Sequence, residues 1–186
     1  MSKIKCQVLP AMRKGYVNTS GVFYVLEKFK TWRLSQSKDE KFIHYCILFQ
    51  FNNSKSLNVI SIGYNHVVNN KDPKGFKLIP VHAEEDAINK LPYFDQTSSN
   101  CRKINMLVVR ISENNNRLYN SKPCANCIAV MNKKIIKKGF NLKDVYYSVD
   151  DSEGGDIKKQ KFQNLYDEPD KHYSVYYRSL NRKIEK

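Results

Sequence analysis

A chain of 186 residues with 41% hydrophobic content is long enough to bury one core and too apolar to remain disordered. No apolar run reaches the length of a membrane span, and Met1 to Cys6 lack the apolar stretch of a secretory signal, so a soluble, cytoplasmic, single-domain protein with no membrane partner is expected. The net charge of +14 favours anionic partners, from a phosphorylated small molecule to nucleic acid, and five unevenly spaced cysteines argue against a disulfide framework.

In chain order, residues 1–18 show no clear period and read as an extension of the domain. Val22, Val25, Leu26, Phe29 and Trp32 then recur at helical spacing behind Thr19 or Ser20 as a cap. Phe42 to Phe51 (FIHYCILFQF) is aromatic and branched, as a buried strand is, and Leu57 to Tyr64 (LNVISIGY) is a second strand. Asn52 to Lys55 is turn chemistry, so the two form a hairpin. Residues 65–80 read as a polar loop. A helix is predicted over about 81–91, ended by Pro92.

Ile104 to Ile111 alternates little and is predicted as a strand buried on both faces. After a polar loop, residues 124–138 form a helix with Ile128, Met131, Ile135 and Ile136 on its apolar side and Gly139 at the C-cap. Val145 to Val149 is the next strand. Residues 157–166 keep a helical period, and residues 172–180 suit a last strand before a basic tail over 181–186. This order predicts a layered α/β domain: a hairpin first, then strands joined through helices and lying parallel by right-handed crossovers.

The chemistry concentrates at two helix starts. His82-Ala83-Glu84 opens one, and Pro123-Cys124-Ala125-Asn126-Cys127 opens the other. One imidazole and two thiolates make three zinc ligands and leave a fourth position for water, which is the pattern of a catalytic rather than a structural zinc. Thiolates at Cys124 and Cys127 form readily at a helix N-terminus, where the dipole and unpaired N–H groups favour negative charge. Glu84, beside the metal but not on it, is placed to relocate protons. A structural zinc site would instead need a fourth ligand from Cys46, Cys101 or a second histidine. A redox Cys pair would have no use for His82 and Glu84.

H-x-E followed by P-C-x-x-C is the signature of zinc deaminases, and over about residues 40–150 the chain resembles the cytidine deaminase superfamily. The local likeness is to its deoxycytidylate and related cytosine-acting branch, whose S-x-P-C-x-x-C reads here Ser121-Lys122-Pro123-Cys124-Ala125-Asn126-Cys127. The resemblance implies a three-layer α/β/α fold with a mixed five-stranded sheet. It implies Zn2+ on His82, Cys124 and Cys127, Glu84 as proton shuttle, and a backbone N–H near Ala83 holding the attacking water. It also implies self-association into a homo-oligomer. Gly63-Tyr64-Asn65 resembles the family's G-x-N element, which makes Asn65 a candidate substrate contact. Tyr147 is a further stacking candidate, and His66 follows Asn65 toward the same pocket. Two departures stand out: Asp86 replaces a common asparagine of the branch, and no aromatic precedes Pro123 as in polynucleotide-editing enzymes.

Three functions follow as expectations. The first is hydrolytic deamination of cytosine in a free nucleoside or nucleotide. The second is editing of RNA or single-stranded DNA, suggested by the charge. The third is a zinc-stabilised binding module without catalysis. His44 and His172 are not required by any of these readings.

Overall fold

The computed structural model describes residues 42–51, 57–72, 75–94, 101–112, 117–150 and 157–174. The predicted helix over residues 22–32 and both extensions lie outside them. β1 (Phe42–Phe51) pairs antiparallel with β2 (Leu57–Tyr64), as the hairpin reading requires, and on its other edge with β5 (Arg102–Ser112). β5 runs parallel to β7 (Phe140–Ser148), and the sheet order is β2-β1-β5-β7-β8, with the two-residue β6 (Leu118–Tyr119) added to β5. The sheet is therefore mixed and the class is α/β.

Alternation along the central strands sorts the core into two faces. Cys46 and Leu48 of β1 share one face with Ile104, Met106 and Val108 of β5. Tyr45, Ile47 and Phe49 share the other with Leu107, Val109 and Ile111. Burial on both sides explains why the predicted strand over 104–111 shows so little alternation in sequence. A register irregularity against β5 between Ile104 and Met106 places Leu142 and Val145 of β7 on the same face although three positions separate them.

The described helices, α1 (Ala83–Lys90), α2 (Ala125–Lys137) and α3 (Phe162–Asp167), all pack on the face carrying Cys46 and Met106. Ala83, Ala87 and Ile88 of α1 and Ile128, Met131 and Ile135 of α2 supply the contacts. Gly139 follows α2 at φ 82°, the left-handed conformation predicted for its C-cap position.

Three expectations are corrected. Residues 65–80 are not a plain loop: β3 (His66–Asp72) and β4 (Gly75–Val81) form a separate antiparallel hairpin. Val67 and Val68, adjacent on β3, are both exposed, so that stretch carries no alternating pattern of burial. Residues 157–166 are not one helical segment: they divide into β8 (Ile157–Lys161), antiparallel to β7, and α3. As an edge strand β8 buries only Ile157, while Phe162 and Leu165 belong to the helix; together they mimic one helical stripe. Residues 172–174 form no strand, and the rest of the predicted last strand lies outside the described residues.

A buried lysine joins the two site helices. Lys138, only 8% exposed, sends its ammonium from the end of α2 to the Asn89 carbonyl at 3.0 Å and to the Leu91 carbonyl. These are the carbonyls that the end of α1 leaves unpaired. The same Nζ sits 4.6 Å from the Tyr93 ring centroid. Replacing Lys138 by methionine keeps the packing stem and removes the charge and its bonds. It is expected to cost about 1–3 kcal/mol, read as a lower denaturation midpoint in urea at unchanged slope.

Candidate metal centre

Both ligand segments are placed by helix entrances that face the same end of the sheet. His82 is the N-cap residue of α1 and Cys124 that of α2, each with extended backbone. The loop into α2 is fixed by two buried serines. Ser121 donates to the Val108 carbonyl at 2.8 Å and accepts from the Ser148 backbone N–H at 2.9 Å. The Ser148 hydroxyl donates to the Tyr119 carbonyl at 2.6 Å and accepts from the Arg110 N–H at 3.1 Å. The serine of S-K-P-C thus ties the cysteine loop to β5 and β7; its partner Ser148 carried no signal in the sequence beyond its place on a strand.

α1 is set against β2 by Gly63. A Cβ there would lie 2.2 Å from both the Ala83 carbonyl oxygen and the Ala87 nitrogen. Asp86 accepts the Tyr64 N–H at 3.1 Å and pairs with Lys90 at 2.6 Å. It holds the helix to the end of β2 and is not part of the cavity wall.

His82 Nδ1 lies 3.1 Å from Cys127 Sγ and 3.6 Å from Cys124 Sγ, and the three ligand atoms fall within 4.8 Å of one another. Donors that share a zinc at about 2.0–2.3 Å in tetrahedral geometry stand roughly 3.5 Å apart, so the set fits such an ion. Among the described residues no fourth His, Cys, Asp or Glu joins the group. Cys46 is fully buried in the core and Cys101 is exposed.

The electrostatics suit a cation. A hydrogen bond from the Cys127 thiol, aided by His82 and the Cys127 backbone N–H, holds Cys124 down at about 4 despite partial burial. The same shared proton, with burial and nearby Glu84, drives Cys127 far up. The sulfur of Cys124 beside the imidazole raises His82. A metal ion would displace these protons. Burial pushes Glu84, 1% exposed, up to about 7, and its Oε2 has no hydrogen-bond partner among the described residues.

These groups open on a cavity of about 690 Å³ lined by His82, Glu84 and Cys124, within the size range of small-molecule sites. Asn65 and His66 line it from the end of β2 and the start of β3. His44 and His172, which the motif does not require, line it too. Arg110 and Lys122 contribute cationic groups, and Glu84 is the sole acid among the lining residues. Lys122 is 2.7 Å from the Glu168 carboxylate, and the Ala125 N–H donates to the His172 carbonyl at 2.9 Å, so the segment after α3 is pinned over one side. Ala83 is buried at the helix start. Tyr147 is corrected as a stacking candidate: its ring belongs to the core beneath the helices, its hydroxyl meets Gln160 at 3.3 Å, and it does not line the cavity.

No protein-family model, curated protein or solved structure matches the chain.

Proposed function

We propose that the protein is a zinc-dependent hydrolase that deaminates a cytosine base to uracil and releases ammonia. The observation that carries this reading is a His-Cys-Cys donor set, with His82 and Cys124 lining one cavity, beside a buried carboxyl at Glu84 whose Oε2 has no hydrogen-bond partner among the described residues. The order of β2-β1-β5-β7-β8, with both ligand helices on one face, supports a cytidine deaminase-like fold.

His82, Cys124 and Cys127 would hold the metal. When bound, zinc supplies a Lewis acid that brings the ionisation of water toward neutrality. Glu84 takes one proton from the attacking water and passes it to the ring nitrogen. It then takes the second from the hydroxyl now on the ring carbon and passes it to the departing amine, so that both protons of the water are accounted for as uracil and ammonia form. Burial favours this role, because a carboxyl held near neutrality both accepts and donates. Ala83, at the start of α1, offers its backbone N–H to the water. Asn65 holds the sugar or base from the end of β2. Cationic Arg110 and Lys122 in the lining favour a phosphorylated substrate over a neutral nucleoside. We place the protein in the cytoplasm, without a membrane partner, and as a homo-oligomer. Among the described residues, no helix is long and apolar enough to cross a membrane.

The net charge of +14 favours a second reading, in which the cytosine is presented in single-stranded nucleic acid. One assay separates them. Zinc-loaded protein is incubated with cytidine, deoxycytidine, CMP, dCMP and a cytosine-bearing oligonucleotide, and ammonia and uracil are followed. Turnover of the monophosphates ahead of the nucleosides is expected. Turnover of the oligonucleotide alone would favour editing, and folded, zinc-loaded protein inert on all five would overturn the deaminase reading.

A further inference from the structure

Glu84 is not the sole buried polar atom left unpaired around the cavity. His44 Nε2, on β1, and Ser174 Oγ, on the segment after α3, are also buried without a hydrogen-bond partner among the described residues. Both residues line the same cavity. Unpaired buried donors and acceptors are rare because each gives up its hydration for nothing, and a cluster of them on one cavity marks groups that a ligand completes.

The placement of His44 follows from strand periodicity. It lies two and four residues before Cys46 and Leu48, which face the site helices. An apolar side chain would fill that position without stranding a nitrogen. Burial disfavours the charged form of the His44 imidazole. A neutral imidazole in a buried position suits the uncharged edge of a heterocycle, whose carbonyl oxygen and ring nitrogen match one donor or one acceptor. A phosphate would be served better by Lys122 or Arg110.

We infer that His44 and Ser174 are substrate-binding groups, with His44 Nε2 hydrogen-bonding the polar edge of the base and Ser174 Oγ bonding a second polar group of the same ligand. This inference rests on the deaminase reading and adds to it the residues that orient the base before Glu84.

The test compares His44→Leu, His44→Gln and Ser174→Ala with the wild type, all zinc-loaded, for kcat, KM, zinc content and melting temperature on the best of the five substrates. His44→Leu removes an unpaired polar atom at similar volume, so its melting temperature and zinc content should not fall. Its kcat/KM should fall about 10- to 100-fold, as for a lost hydrogen bond to a buried polar group. His44→Gln, which keeps an N–H at similar reach, should recover most of that loss, and Ser174→Ala should lose about 5- to 20-fold, chiefly in KM. An active wild type with kcat/KM unchanged in His44→Leu and Ser174→Ala overturns the inference alone. Should His44→Leu fail to fold, His44 serves packing unless His44→Gln remains folded with an altered KM. A zinc-loaded wild type inert on every substrate overturns the deaminase reading and takes this inference with it.

Discussion

Replacing Glu84 by glutamine is expected to leave zinc bound and to lower kcat about 100- to 10,000-fold, the range supplied by a positioned acid–base group. Glutamine has the same shape, so the packing of a residue only 1% exposed is preserved. It lacks a titratable proton, so it can neither accept from water nor deliver to the ring. Stability should hold or rise, because the substitution removes a buried carboxyl whose Oε2 has no partner among the described residues. Zinc quantified by atomic absorption, melting followed by circular dichroism and ammonia release together give a clear reading. Full activity in the variant would strip Glu84 of its role. Loss of zinc alongside activity would make it a structural support, and a wild type as inert as the variant would favour the binding-module reading.

Gly63→Ala should be the most damaging single-methyl change among the described residues. The added carbon would stand 2.2 Å from the Ala83 oxygen and the Ala87 nitrogen and 2.8 Å from the Ala87 Cα. All three are backbone atoms of the helix that carries Glu84, and none can yield unless α1 moves as a body. Overpacking of this kind costs about 3 kcal/mol or more, a fall on the order of 10 °C in melting temperature for a chain of this size. Because His82 caps the same helix, zinc affinity should fall with it. Thermal melts and a zinc competition titration check both effects. A variant with wild-type melting and wild-type affinity would mean that β2 and α1 do not approach this closely.

What could be read from the sequence follows from where burial is one-sided or complete. β1, β2, β5 and β7 announced themselves through branched and aromatic runs, and α1 and α2 through apolar periods behind their ligand residues. Asn65, singled out because it follows Gly63 in a recognisable element, lines the cavity. The β3–β4 hairpin did not announce itself, since exposed Val67 and Val68 leave no alternation to detect there. β8 and α3 merged into one false period because an edge strand buries a single side chain. Tyr147 attracted notice as an aromatic near the cysteine helix, yet its place on the strand turns it into the core. His44 was passed over because it sits in an apolar strand. The signal that would have found it is parity with Cys46 and Leu48, which puts it on the face toward the helices that bear the ligands. Ser148 became meaningful only once β5, β7 and the cysteine loop were seen together.

X-ray absorption at the zinc edge of folded, zinc-loaded protein addresses the central claim most directly. The account predicts one zinc per chain in a shell of two sulfurs at about 2.3 Å and two lighter donors at about 2.0 Å, one of them an imidazole. Cys127→Ser should lose one of the sulfurs or the metal altogether. A shell of three or four sulfurs, or well-folded protein that takes up no zinc, would contradict it.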